Sequence, residues 1–244
     1  MSVQKTKTYL RCADCGMNVE EELNDFLSAF YQQNGYICPK CLDIRKAKRE
    51  AEEDAQFKRE REQRIRDNMA AAGVPDEYNV MTPPVPFVSE WLSARFNANI
   101  LLHGYVGAGK STSAGYNARQ ALFRGFKVKW YMLSALLDEW RVARCSENPL
   151  DVPYLFRRLE SFDLIILDEC DKSKDTASVQ EFMFRLLEDV ANGTSHAKLW
   201  MLGNFYKGSL GNIFGNEDAA RRRFNESFQC AMIKTDGTIK RIKL

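Results

Sequence analysis

Residues 101–122, LLHGYVGAGKSTSAGYNARQAL, set Gly104, Gly107 and Gly109 between a short apolar run and a helix-forming stretch, with Lys110 and Ser111 directly after. The spacing is G-x-x-x-x-G-K-[ST]. Glycines permit a tight turn and bring backbone N–H groups up to an anion with no Cβ in the way. The helix that follows points its positive N-terminal end at the same anion. Lys110 is placed to reach the β- and γ-phosphates of a nucleotide, and the Ser111 hydroxyl to ligate Mg²⁺. Ala108 and Thr112 complete the predicted nucleotide-binding set. A glycine-rich turn with a chance lysine is the plainer alternative, and the flanking strand and helix argue against it.

A second group lies further along. LIILDEC brings Asp168 and Glu169 to the C-terminal end of the most apolar predicted strand, the edge at which α/β sheets bind ligands. Asp168 suits the Mg²⁺ shell. Glu169 is placed to orient and deprotonate a water for attack on the γ-phosphate. Kinases acting on small acceptors share the loop but need no water-activating glutamate here, so hydrolysis of ATP is the favoured chemistry. KLWMLGN ends another strand in Asn204, able to hold the attacking water from the other side, although asparagine is also common in turns. EDAARRRF supplies three consecutive arginines. They suit either a solvated helix or an arginine finger offered to a neighbouring subunit's γ-phosphate, and the finger is the favoured reading.

Cys12 and Cys15, in CADC, and Cys38 and Cys41, in CPKC, have the spacing of two zinc knuckles. Four thiolates fill a tetrahedral Zn²⁺ and leave no open position. The metal is therefore expected to be structural, letting a segment too small for its own core fold. GYICPKCLDIRK runs straight into a predicted helix that the second knuckle would cap, as in treble-clef modules. Cys145, Cys170 and Cys230 are isolated and are expected in the interior.

These residues need elements to position them. The chain has 244 residues, 45% apolar and 28% charged, enough for one α/β domain and a small module. A net charge of +2 does not by itself point to nucleic acid. MSVQKTKTYLRCADC has no apolar signal core, and no apolar run approaches the ~18 residues of a membrane span. The expected setting is cytoplasmic, with no membrane partner.

Three regions separate by composition. Residues 1–42 form the zinc-binding module. Residues 43–73 form a charged linker helix, with acid-to-base pairs Asp54–Lys58, Glu60–Arg64 and Glu62–Arg66, no sustained heptad, and Gly73 as C-cap. Residues 74–244 form the main domain, reached through the proline-rich VPDEYNVMTPPVPF. The predicted helices there are 87–96, 110–124, 134–145, 151–160, 176–191 and one around 221–224. The predicted strands are 99–103, 126–132, 163–168, 198–202 and 229–234. Short apolar strands separated by helices predict a mainly parallel sheet covered on both faces.

Taken in order, the glycine loop, the ALFRGFKVKWYMLSALLDEW segment, the acidic pair, Asn204 and the arginine-rich helix resemble the DnaC/IstB branch of the AAA+ ATPases. The resemblance covers about residues 74–244 and includes VPDEYNV, similar to the family's Pro-x-x-Tyr lead-in. It implies an α/β AAA+ P-loop domain with a reduced or absent helical lid. By position, Lys110 and Ser111 match the phosphate-loop pair, and Asp168 with Glu169 the acidic pair. Asn204 matches the first sensor, and Arg223, followed by an apolar residue, the finger, with Arg222 as fallback. Lys240 and Arg241 both stand for the second sensor, and Arg241 is carried forward. The chain departs from the family in having Asp168-Glu169 where Asp-Asp is common, and Leu202-Gly203 before Asn204 in place of small hydroxyl residues.

The resemblance further implies ATP with Mg²⁺ and self-assembly into an arc or spiral. It implies single-stranded DNA held by the helical segment between the phosphate motifs, here Trp140, Arg141, Arg144, Tyr154, Arg157 and Arg158, although the same residues could be packing and solvated charge. Its client would be the replicative hexameric helicase, delivered to single-stranded DNA. Some such loaders grip the helicase with an N-terminal zinc domain, while a DNA-binding zinc ribbon is the competing role. A transposition helper acting on duplex DNA is the alternative within the branch, and a non-catalytic adaptor the alternative outside it.

Overall fold

The computed structural model describes residues 6–173, 176–191, 195–205 and 217–242. The chain divides into two compact units, Met1–Gln63 and Arg64–Leu244.

In the first unit, strands β1 (Thr6–Arg11) and β2 (Asn18–Leu23) form an antiparallel hairpin. Its turn carries Cys12 and Cys15 and closes at Gly16, whose φ of 70° suits glycine. This hairpin was not among the predicted elements, because NVEEEL offers three consecutive acids where alternation would be read. Helix α1 (Asp25–Asn34) is capped by Asn24, whose side chain accepts from the Leu27 N–H at 2.8 Å. Cys12 bridges to Tyr36. Helix α2 (Pro39–Ala72) then opens with proline at its first position, which places Cys41 in the first turn.

Along α2 the ion pairs include Lys48–Glu52 at 3.9 Å and Arg49–Glu53 at 3.6 Å. Both run base to acid, the reverse of the order expected from the sequence. The helix ends in a Schellman motif: Gly73 (φ 80°) donates to Ala70 O at 2.9 Å and Val74 to Met69 O at 3.1 Å.

The second unit contains α3 (Pro86–Ser93), β3 (Asn99–Gly104), α4 (Lys110–Phe123), β4 (Val128–Met132), α5 (Leu133–Cys145), α6 (Asp151–Glu160), β5 (Leu164–Asp168), α7 (Ala177–Ala191), β6 (Lys198–Gly203), α8 (Glu217–Ser227), β7 (Phe228–Ile233) and β8 (Ile239–Arg241). The sheet order is β4-β5-β6-β3-β7-β8, parallel throughout except for β8. One face packs Leu101, Ile165, Leu167 and Met201 against Phe182 and Phe224, and the other packs Ile100, Leu102, Ile166 and Trp200 against Val88, Ala114 and Met69. All five residues of β5 are buried, which accounts for its unbroken apolar run. β8 was not expected; its charged IKR makes a blunt edge. From β3 the chain travels to β4, and from the adjacent β6 it travels the other way to β7. Such a divergence is the switch point at whose C-terminal edge open α/β sheets bind ligands.

The unit also depends on one close approach. A Cβ added at Gly115, inside α4, would lie 2.4 Å from the Tyr78 carbonyl oxygen and 2.6 Å from Tyr78 Cβ. Alanine favours helices over glycine by up to about 1 kcal/mol, yet overpacking against backbone costs about 1–3 kcal/mol. The clash wins: Gly115→Ala is expected to lower stability by denaturant unfolding. A gain in stability would show that the segment around Tyr78 is free to retreat.

Candidate functional site

Three neighbouring strands deliver the candidate residues to one edge. β3 ends at Gly104, β5 at Asp168, and β6 one residue before Asn204. The β3–β6 register pairs His103 with Gly203, so Asn204 emerges beside the start of the glycine loop.

In that loop Gly107 and Gly109 adopt φ of 78° and 81°. A Cβ at Gly107 would meet nothing within 4 Å, so glycine serves the backbone there and leaves the cradle open. A Cβ at Gly109 would come 2.5 Å from Val85 Cγ2. Ala108 donates its N–H to Tyr105 O at 3.1 Å, tightening the turn. Lys110, Ser111 and Thr112 form the first residues of α4. Lys110 Nζ donates to Gly104 O at 2.7 Å and Tyr105 O at 3.0 Å, spanning the loop from within. Burial lowers its pKa, while Asp171 and then Asp168 act in the opposite direction.

Asp168 is 3% exposed. Burial pushes its carboxyl up, opposed by hydrogen bonding from Ser111 and from the Glu169 N–H, which lies 2.8 Å from Oδ1. Glu169 is the one non-glycine residue with positive φ among the described residues, at φ 55° and ψ 36°. Backbone held in that region marks functional sites more often than loops at large. Its carboxylate pairs with Lys172 across the short 3₁₀ turn Cys170–Lys172. Asn204 is buried. Gly203 before it explains a departure from the family pattern: a Cβ there would lie 2.8 Å from Phe205 Cζ and 3.1 Å from Asp171 Oδ1. Phe205 folds back over this position, and only glycine fits under it.

Several residues of the site went unassigned in the sequence. The Tyr78 side chain packs on Trp130, with ring centroids 5.6 Å apart, and its pKa is raised first by burial, then by its hydrogen bond to Glu77 and by the charge of Asp168, with Ser111 opposing. Asp171 faces Lys110 and His103. His103 has a buried Nδ1 with no hydrogen-bond partner, and its pKa is lowered first by burial and then by Lys110. Only position gave a signal for these, Tyr78 in the lead-in and His103 immediately before the loop.

Other candidates stand elsewhere. Arg223 donates to Glu188 Oε1 at 3.2 Å, and its guanidinium lies 4.1 Å from the Phe184 ring centroid, so it is engaged within its own chain. Arg222 is exposed, and the Arg221 side chain lies outside the described residues. Arg241 pairs with Ala231 on β8, two positions below the Ile233–Gly104 level and two strands from β3, so the structure does not bring it to the loop. Lys240 pairs with Met232.

In α5 and α6, Trp140 is 2% exposed and packs on Phe156 and Phe182, with centroids at 5.9 and 5.5 Å. Of the two roles the sequence leaves open for it, packing is the one observed. Leu133, Leu136, Leu137 and Trp140 form one helical stripe. Arg141 pairs with Asp138 at 2.6 Å, Arg144 with Glu181 at 2.6 Å, and Arg158 with Glu139. Tyr154 and Arg157 are exposed. Cys170 and Cys230 are buried, whereas Cys145, at the end of α5, is exposed, contrary to expectation.

In the first unit, the Sγ atoms of Cys12, Cys15, Cys38 and Cys41 all lie within 4.8 Å of one another, with Cys15 and Cys38 at 3.9 Å. A tetrahedron with metal–sulfur bonds of about 2.3 Å has edges of about 3.8 Å, so the four thiols fit Zn²⁺. The Cys38 N–H donates to Cys12 Sγ at 3.3 Å. Backbone N–H groups of Cys15 and Cys38 hold the Cys12 thiol down at about 6. The Cys41 thiol is pushed up to about 12, first by its hydrogen bond to Cys38 and then by burial.

No protein-family model matches the sequence, and no characterised protein matches it by sequence similarity. Solved structures share its fold. AMPPCP-bound DnaA from Aquifex aeolicus aligns with a TM-score of 0.51 at 13% identity, covering 67% of this chain and 53% of that one. The DnaC helicase loader aligns at 0.50 and 12% identity, covering 60% and 86%, and DnaI at 0.50 and 14%, covering 66% and 94%. This chain thus spans about half the length of that DnaA. The sheet of the second unit, mostly parallel and carrying its glycine loop on a central strand, has the fold seen in these solved structures.

Proposed function

We propose that this chain is an ATP-hydrolysing AAA+ helicase loader, which binds the replicative hexameric helicase and delivers it to single-stranded DNA. The observation that carries the reading is the convergence of the Gly104–Ser111 loop, Asp168–Glu169 and Asn204 on one sheet edge. It is supported by fold neighbours that include an AMPPCP-bound DnaA and a protein described as a helicase loader.

In this reading the loop N–H groups and Lys110 bind the β- and γ-phosphates. Ser111 and Asp168 hold Mg²⁺, which would neutralise charge on the phosphates. Asn204 orients the attacking water and Glu169 takes its proton. Arg223 serves a neighbouring subunit's nucleotide in the arc or spiral, which requires it to leave Glu188 and Phe184; exposed Arg222 is the alternative donor. Arg241 completes the set as second sensor only if the edge strand moves. Tyr154, Arg157 and the neighbouring arginines of α5 and α6 contact single-stranded DNA. Cys12, Cys15, Cys38 and Cys41 hold a structural Zn²⁺ in a module that grips the helicase. The setting is cytoplasmic; no helix among the described residues is long and apolar enough to cross a membrane.

Native mass spectrometry with the host's replicative helicase, with and without ATP, tests the client. The expected result is a complex that persists in Lys110→Ala and is lost when Cys38 and Cys41 are both changed to serine. No complex under any nucleotide condition overturns the loader reading in favour of the transposition helper.

A further inference from the structure

The carboxylate on which hydrolysis depends in the reading above is already occupied. Lys172 Nζ pairs with Glu169 Oε1, and the backbone between them is closed by Lys172 N–H donating to Glu169 O at 3.0 Å. The 3₁₀ geometry brings about the meeting, because residues three apart eclipse each other in such a turn.

The turn has little freedom to rearrange. Cys170 is fully buried, with Sγ 3.3 Å from Leu167 O, and Asp171 lies against Gly203. The left-handed backbone at Glu169 sets the direction in which its side chain leaves the strand. The other charged groups around the pair are Asp168 and Asp171, both attracting Lys172, and Lys110, which is engaged with the loop carbonyls. Lys172 therefore stands among three carboxylates and takes the one that ends nearest to it. Both partners remain partly open to water, with side chains 64% and 38% exposed.

Resting on the assignment of Glu169 as general base, we infer that Lys172 is a positioning residue that holds Glu169 in a resting pair, and that opening this pair frees Glu169 to turn to the water whose proton it accepts. Oε1 is committed to the ammonium and the side chain is held over the 3₁₀ turn, so only Oε2 is left to meet that water. Turnover then includes the opening of this pair, with Glu169 passing from Lys172 to water. The resting pair is a small barrier, since an exposed ion pair shifts an equilibrium by at most about fivefold.

The test is steady-state hydrolysis by the full chain with Lys172→Met and Lys172→Arg, with Glu169→Gln run alongside and thermal unfolding as a fold control. Lys172→Met is expected to raise kcat for ATP about two- to fivefold with KM unchanged, and Lys172→Arg to restore wild-type values. A lower kcat, a raised KM or an unchanged kcat in Lys172→Met overturns the proposal. Failure of the underlying reading looks different: Glu169→Gln would then turn over at the wild-type rate, whatever Lys172 does.

Discussion

Glu169→Gln is expected to lower ATP turnover by about 10²–10⁴-fold, the range set by loss of a positioned general base, with nucleotide binding intact. Glutamine has the size of glutamate, and Lys110 is held separately, by the Gly104 and Tyr105 carbonyls at the end of β3. Binding and chemistry therefore separate. Lys110→Ala should do the opposite to the first step, removing the cation that spans the loop and with it nucleotide affinity. Phosphate release and binding of a fluorescent ATP analogue, measured on both variants, distinguish the two effects. If ATP binding stabilises assemblies and hydrolysis releases them, Glu169→Gln should accumulate ATP-bound complexes with helicase and single-stranded DNA. A Glu169→Gln variant that keeps full function would favour the adaptor reading, in which the nucleotide site only switches assembly.

Legibility in the sequence followed how local each constraint is. The glycine loop is local: eight consecutive residues carry both the backbone freedom and the lysine, and the flanking apolar strand and helix can be read from the same stretch. The acidic pair at the end of β5 is local too. Gly203 is not, because the reason for glycine is Phe205 folding back and Asp171 arriving from a different strand end. Tyr78 reaches the site only because Gly115 lets its backbone lie against α4. For Trp140, composition alone leaves packing and DNA contact both open; the leucines at 133, 136 and 137 set which stripe of α5 turns inward and decide for packing. Arg223 and Arg241 mark another limit, since their roles depend on a neighbouring subunit or on edge-strand position rather than on spacing.

Stripping metal from the four-cysteine site is expected to unfold the first unit and to spare the second. The first unit has little else to hold it. Its buried core is Leu10, Cys12, Tyr36, Cys38 and Cys41, three of which are themselves ligands, backed by Val19, Leu23, Tyr31 and Ile37 at partial exposure. Helix α1 buries none of its residues. Segments below about 40 residues seldom fold on apolar burial alone. A structural Zn²⁺ contributes about 10–16 kcal/mol of apparent binding energy, as large as the whole stability of an ordinary domain at about 5–15 kcal/mol. The second unit draws on two extensive clusters on the two faces of its sheet and has no share in the cysteines. Hydrogen exchange with and without a zinc chelator should show protection lost across residues 6–38 while β3, β5 and β6 keep theirs, and metal analysis should find one zinc per chain that Cys38→Ser removes. Protection that survives chelation would mean the hairpin and α1 are held by packing, and the thiols would then need a reason other than metal to stand within 4.8 Å of one another.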